Sequence, residues 1–146
     1  EALLNYRDAT NSTASIQNIK RSEGGTVDVE CLVQSLQLKH ASAIPEILVP
    51  GTLEAIRALE KYRVLASDQA DGLYYGYLFL REVESGLRLM NTTARHELPT
   101  DPLSLDLLAF LIGWESGEAL RQRVQEVRLF HCQLFEHFLP KPLQLS

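Results

Sequence analysis

Between Ser67 and Met90, apolar residues fall at Leu73, Gly76/Tyr77, Leu80, Val83, Leu87 and Met90. This is close to the heptad spacing of a helix–helix seam. A long helix with one apolar stripe is not stable alone in water and has to be covered by partners. The same three- and four-residue spacing recurs along the rest of the chain, and no useful stretch alternates polar and apolar residues as a half-buried strand would. The chain is therefore predicted to be all-α: an antiparallel up-and-down helical bundle of about five helices joined by short loops. Gly76 sits inside the stripe at a helix-propensity cost of about 1 kcal/mol against Ala, which predicts a close helix crossing there.

Local signals place the remaining helices. Val29, Leu32, Val33 and Leu36 predict a helix from about Val27 to Ala41. Pro45 and Pro50 bracket a connector from Ile44 to Gly51, after which Thr52 can cap a helix presenting Leu53, Ile56, Leu59 and Tyr62. Leu98 to Pro102 is a break. Asp101-Pro102 then starts a short helix carrying Leu105, Leu108, Ala109 and Ile112, with Gly113 as its stop. Ser116 opens the last helix, with Leu120, Val124, Val127, His131, Leu134 and Phe138 on its buried face, and Pro140 and Pro142 end it. Residues 1–25 are expected to hold the end of an upstream helix and a glycine-containing loop. Residues 26–140 form the bundle, a single domain of a longer chain, and 141–146 a tail.

Composition bounds the function classes. A chain of 146 residues that is 45% hydrophobic and 23% charged has an ordinary globular composition, and at this length about 70% of the unfolded surface is buried on folding. Fourteen basic against nineteen acidic residues leave a net charge of −5, which argues against the basic face of a nucleic-acid binder. No apolar run approaches the roughly 20 residues of a membrane span. Neither nucleic acid nor membrane is expected as a partner, and the expected location is the cytoplasm. Cys31 and Cys132 cannot make a disulfide framework and are expected to be buried free thiols in a reducing compartment. The first residue is Glu1 rather than Met, as in a piece of a longer protein.

One segment departs from plain bundle patterning: Lys20-Arg21-Ser22-Glu23-Gly24-Gly25-Thr26-Val27-Asp28-Val29-Glu30. Glycines let a backbone approach a ligand closely, helix N-terminal amides favour an anion, and Lys20 or Arg21 would add positive charge to a phosphate site. The plainer reading is a loop followed by a helix whose acidic first turn caps it well, with Asp28 competing for the same amides. Spacing alone favours that plainer reading, because the segment lacks a full glycine fingerprint. Asp28 and Glu30 lie about 200° apart on a helix, so they cannot both face one site, and one of them should point into the bundle.

Other candidates have structural readings. His131 and His137 lack metal-ligand spacing, His131 reads as a buried, hydrogen-bonded core histidine, and Cys132 reads as a core residue. No zinc site is expected. Tyr77 is expected in the core, while Tyr74 and Tyr75 suit a partner or domain interface. Arg81, Glu84 and Arg88 place an acid between two bases on one helix face. They form either an intrahelical ion pair of about 0.3–0.5 kcal/mol or a network that locks the bundle. Arg121, Arg123 and Arg128 with Glu118 and Glu126 read as a solvated face.

Lys20 to Gln34 resembles the K-x-G-x-G-G-x-x-D-[IV]-E-F-x-x-Q segment of glutamine synthetase adenylyltransferases, with Ser22 where that family has its first glycine and Cys31 where it has an aromatic residue. Leu36 to Ala41 followed by Pro45, Thr52 to Leu59, Tyr77 to Met90 and Leu98-Pro99 with Asp101 are similar to further segments of that family in the same order. The resemblance spans roughly residues 18–138. It implies a helical bundle that follows a nucleotidyltransferase domain, in an enzyme that adds AMP from ATP, with Mg²⁺, to a tyrosine of glutamine synthetase and removes it by phosphorolysis. The Gly-Ser and Asp-x-Asp pattern of such catalytic domains is missing from this chain, so the resemblance implies a fragment without catalytic residues or metal ligands of its own, inactive alone. Its implied partners are glutamine synthetase, the adjacent nucleotidyltransferase domain and the PII signal protein. By the same resemblance, Lys20, Arg21, Gly24, Gly25, Asp28 and Glu30 have nucleotide-proximal or domain-coupling roles. The Val-Asp-Val-Glu run is more similar to the adenylylating, C-terminal copy. Alternatives are the bundle of a uridylyltransferase that modifies PII, or a non-catalytic helical interaction module.

Overall fold

The computed structural model describes residues 17–90 and 96–140. The described residues form five α-helices: α1 (Thr26–His40), α2 (Thr52–Lys61), α3 (Ser67–Leu89), α4 (Pro102–Leu111) and α5 (Gly117–Phe138), with a short 3-10 turn at Pro45–Ile47 between α1 and α2. Among these residues the sole β feature is an isolated antiparallel bridge between Asn18 and Glu97. The upstream helix expected at residues 1–9, the polar stretch after it and the tail at 141–146 lie outside the described residues.

The helix ends follow local chemistry. The Asp101 side chain accepts from the Ser104 amide at 2.9 Å, with Pro102 in the first turn of α4. The Ser116 hydroxyl accepts from the Ala119 amide at 3.1 Å and opens α5. At α2 the sequence expectation is off by one residue. Thr52 is already helical, and Gly51, with φ +87°, occupies the cap without a side-chain bond. That backbone angle suits glycine and would strain threonine.

Helices α1 and α3 run antiparallel. Thr26 of α1 meets Glu84 of α3, and Glu30, one turn further along α1, meets Tyr77, about two turns earlier on α3. Each successive pair of helices packs together, and α1 and α3 both pack on α5. The Gly76 prediction holds, since a Cβ there would lie 2.5 Å from His131 Nε2 and 3.0 Å from Val127 Cγ1 of α5. One turn earlier, Gly72 lies under the Phe130 ring in the same manner.

The core divides into two apolar clusters along α3 and α5. One gathers Leu32, Leu36, Ile56, Leu59, Leu73 and Phe135. The other gathers Leu80, Val83, Leu87, Leu108, Leu120 and Val124. The division falls between Tyr77 and Phe79 on α3 and between Val127 and Leu134 on α5. His131, buried and polar, sits in that interval of α5.

Candidate functional site

The double-glycine segment is tied down from both sides. The Asn18 side chain accepts from the Lys20 and Arg21 amides at 3.1 and 2.9 Å, making an Asx-type turn. The Ser22 hydroxyl donates to the Asn18 carbonyl. The Ile19 amide donates to the His96 carbonyl at 2.8 Å, and the Leu98 amide to the Gln17 carbonyl at 2.9 Å, pairing the loop with the stretch before α4.

At Gly24 the loop enters the bundle. Its amide donates to Asp28 Oδ2 at 2.7 Å, and its carbonyl lies 2.8 Å from His131 Nδ1 of α5. A carbonyl only accepts, so Nδ1 carries the proton and Nε2 is bare in the neutral ring. Nε2 lies beside Gly76 of α3 without a hydrogen-bond partner. Burial therefore lowers the His131 pKa, against weaker pulls upward from the Gly24 carbonyl and Asp28. The Arg128 Nε, one turn before His131, donates to the Glu23 carbonyl at 3.0 Å.

This geometry decides what the glycines do. Gly24 has φ +75°, and a Cβ on it would lie 2.2 Å from the Arg128 carbonyl oxygen. A Cβ on Gly25 would lie 2.6 Å from the Ile19 carbonyl oxygen. Both close approaches are of the chain to itself. The first amides of α1 are engaged as well, Thr26 with the Ile19 carbonyl and Val27 with the Lys20 carbonyl, at 3.2 and 3.1 Å. The Gly24, Thr26 and Val27 amides are thus all engaged within the chain. The described residues contain no group of three His, Cys, Asp or Glu side chains able to hold a metal ion.

The six residues singled out in the sequence thus separate. Gly24, Gly25 and Asp28 share one buried joint, with Asp28 only 1% exposed. Glu30 is half-buried and accepts from the Tyr77 hydroxyl at 2.9 Å. Burial first, then the Glu30 carboxylate, push the Tyr77 pKa up to about 12. Arg21 is exposed and Lys20 half-buried, and their charge, together with that of Arg88, adds to burial in lowering the His96 pKa.

Sequence reasoning left one participant open and misplaced another. Thr26 Oγ1 donates to Glu84 Oε1 at 3.3 Å, while Arg81 binds Glu84 Oε2 at 2.8 Å and Arg88 stands 3.9 Å away. Glu84 is 1% exposed, so the Arg81–Glu84–Arg88 run is the network that joins α3 to the start of α1. Arg128 is the other participant. The expected solvated face included it, yet it anchors the loop, and its spacing of three from His131 is the signal that places both on one side of α5. Cys31 is buried as expected, whereas Cys132 is partly open and lines a groove of about 440 Å³ with Glu23, Arg121 and Arg128.

Comparison with known proteins adds the family. A family model described as GlnD PII-uridylyltransferase matches residues 4–139. Among curated proteins, bifunctional glutamine synthetase adenylyltransferase/adenylyl-removing enzymes are similar to this chain. That of Agrobacterium fabrum is 31% identical over 110 residues, 75% of this chain and 11% of the relative. That of Bordetella pertussis is 33% identical over 129 residues, covering 88% and 14% respectively. That of Methylococcus capsulatus is 33% identical over 127 residues, covering 87% and 13%. The chain thus spans between 11% and 14% of the length of these relatives. With the match running from residue 4 to residue 139 and through every helix described, the chain belongs to the GlnD PII-uridylyltransferase family.

Proposed function

We propose that this chain is the helical module of a bifunctional glutamine synthetase adenylyltransferase/adenylyl-removing enzyme. In that reading it serves bacterial nitrogen regulation in the cytoplasm. A nucleotidyltransferase domain of the same polypeptide, with ATP and Mg²⁺, adds AMP to a tyrosine of glutamine synthetase. The module supplies position rather than chemistry, and alone it transfers nothing. The observation that carries this is the joint at Gly24, where the Asp28 carboxylate and the His131 ring lock the loop bearing Lys20 and Arg21 to the bundle. A loop held this way is suited to couple domains, the second of the two roles implied for these residues.

The family description supports a second reading, in which the same module belongs to an enzyme that uridylylates PII. One experiment separates them. The full-length polypeptide is incubated with glutamine synthetase, ATP and Mg²⁺, and in parallel with PII, UTP and Mg²⁺, and intact masses are recorded. An adenylyl group on glutamine synthetase supports the first reading, and a uridylyl group on PII the second. Neither addition, with no phosphorolytic loss from adenylylated synthetase, overturns both.

A further inference from the structure

Helix α4 is apolar on two opposite sides. Leu105, Leu108 and Ala109 are buried against the bundle. Leu103, Leu107 and Phe110, at positions i, i+4 and i+7, form a stripe on the far side with 82%, 50% and 79% of their surface exposed. No Lys, Arg or Glu interrupts α4, and its one acid, Asp106, is bonded to the Gly117 amide at 2.8 Å. Beside exposed Leu111, a groove floored by Gly86 leads to Leu78 and Leu89 of α3, with Arg81, Glu82 and Ser85 on its α3 wall. A helix apolar all round is ordinarily covered on all sides.

We infer that this α3–α4 face is an internal interface, covered by another domain of the longer polypeptide in which the chain works. The inference rests on the proposed function for the existence of that polypeptide, and it adds the surface used. Three observations select this occupant. Relatives of the chain are several times its length, with 11–14% of each aligned here, so most of such a polypeptide lies outside the described bundle. The α4 stripe itself carries no charged side chain, and an uncharged apolar centre rimmed by charges such as Arg81 and Glu82 is the make-up of a lasting contact. A net charge of −5 also disfavours the meeting of two separate copies of the chain. A tether removes that difficulty, since a linked domain is present at an effective concentration of about millimolar.

Hydroxyl-radical footprinting of Phe110, read by mass spectrometry, tests this. The rate is measured in the 146-residue chain and in the full-length polypeptide, with and without glutamine synthetase, alongside the adenylyl-transfer assay. Protection of about fivefold or more in the full-length polypeptide alone is expected, as for the dry centre of an interface. An equal rate in both overturns the inference, and protection that arises only with the synthetase assigns the face to the substrate instead. Sedimentation of the 146-residue chain should give a monomer. A concentration-dependent dimer abolished by L107D/F110D overturns the inference in favour of a second copy. An open Phe110 with transfer intact sinks the surface and leaves the proposed function standing, and protection without any transfer does the reverse.

Discussion

Asp28 holds the amide of Gly24, four residues before it, at 2.7 Å, and both residues are buried. The carboxylate therefore fixes the shape of the loop at the point where α5 grips the same glycine from the other side.

Removing that acceptor should be costly. Asp28→Ala leaves a buried amide without a partner and should destabilise the bundle by about 1–3 kcal/mol. Asp28→Asn keeps an oxygen in place and should lose less. Urea denaturation followed by circular dichroism ranks the two, and equal loss in both would count against the bond to Gly24.

Gly24→Ala meets two penalties at once. Its φ of +75° is unfavourable for alanine, and the new methyl would lie 2.2 Å from the Arg128 carbonyl oxygen. We expect a loss of about 2–5 kcal/mol, combining backbone strain with overpacking. Gly113→Ala makes the control, since it shares a positive φ of +80° but has open space around it. Its loss should stay near 1–2 kcal/mol, the cost of left-handed backbone alone.

Acid should weaken the fold before the carboxylates titrate. Burial lowers the pKa values of His131 and His96 from the ordinary 6.5, so the unfolded chain binds more protons than the folded one. Stability is therefore full above about pH 6.5 and falls as the pH drops toward the folded values. Denaturation midpoints at about pH 7.5 and about pH 5.5 should differ in that direction, and His131→Gln should remove part of the slope. A midpoint that rises on acidification would contradict the neutral, Nδ1-protonated ring.

Thr26 and Glu84 should be energetically coupled. Their hydrogen bond of 3.3 Å ties the first turn of α1 to the C-terminal third of α3. A double-mutant cycle with Thr26→Val and Glu84→Gln should return an interaction of about 0.5–1.5 kcal/mol. Additive losses would mean that Glu84 serves its arginines alone.

Much of this molecule was legible because the relevant signals are local. Asp101-Pro102 and Ser116 name their helix starts through bonds that span three residues, and the stripe on α3 follows from period alone. Gly76 was readable as a crossing because glycine in an apolar seam is costly without one. The loop was harder. Its conformation depends on the Arg128 carbonyl and on His131, far away in sequence, and neither can be read from the composition of the loop itself. The same cause hid the burial of Glu84, whose partner Thr26 lies 58 residues earlier, and the opening beside Cys132. The uncovered side of α4 was invisible for the opposite reason, since a periodic pattern reports apolarity without reporting what covers it.

The contact between Gly24 and His131 bridges 107 residues. On the ribosome, where synthesis proceeds at about 5–20 residues per second, the glycine waits roughly 5–20 s for the histidine to be made. Throughout that interval the Gly24 carbonyl is without its histidine and the loop without the Arg128 backbone it packs on. The bundle is thus closed from its far end, by the last helix, and a nascent chain stopped short of residue 131 holds most of the helices but not the latch.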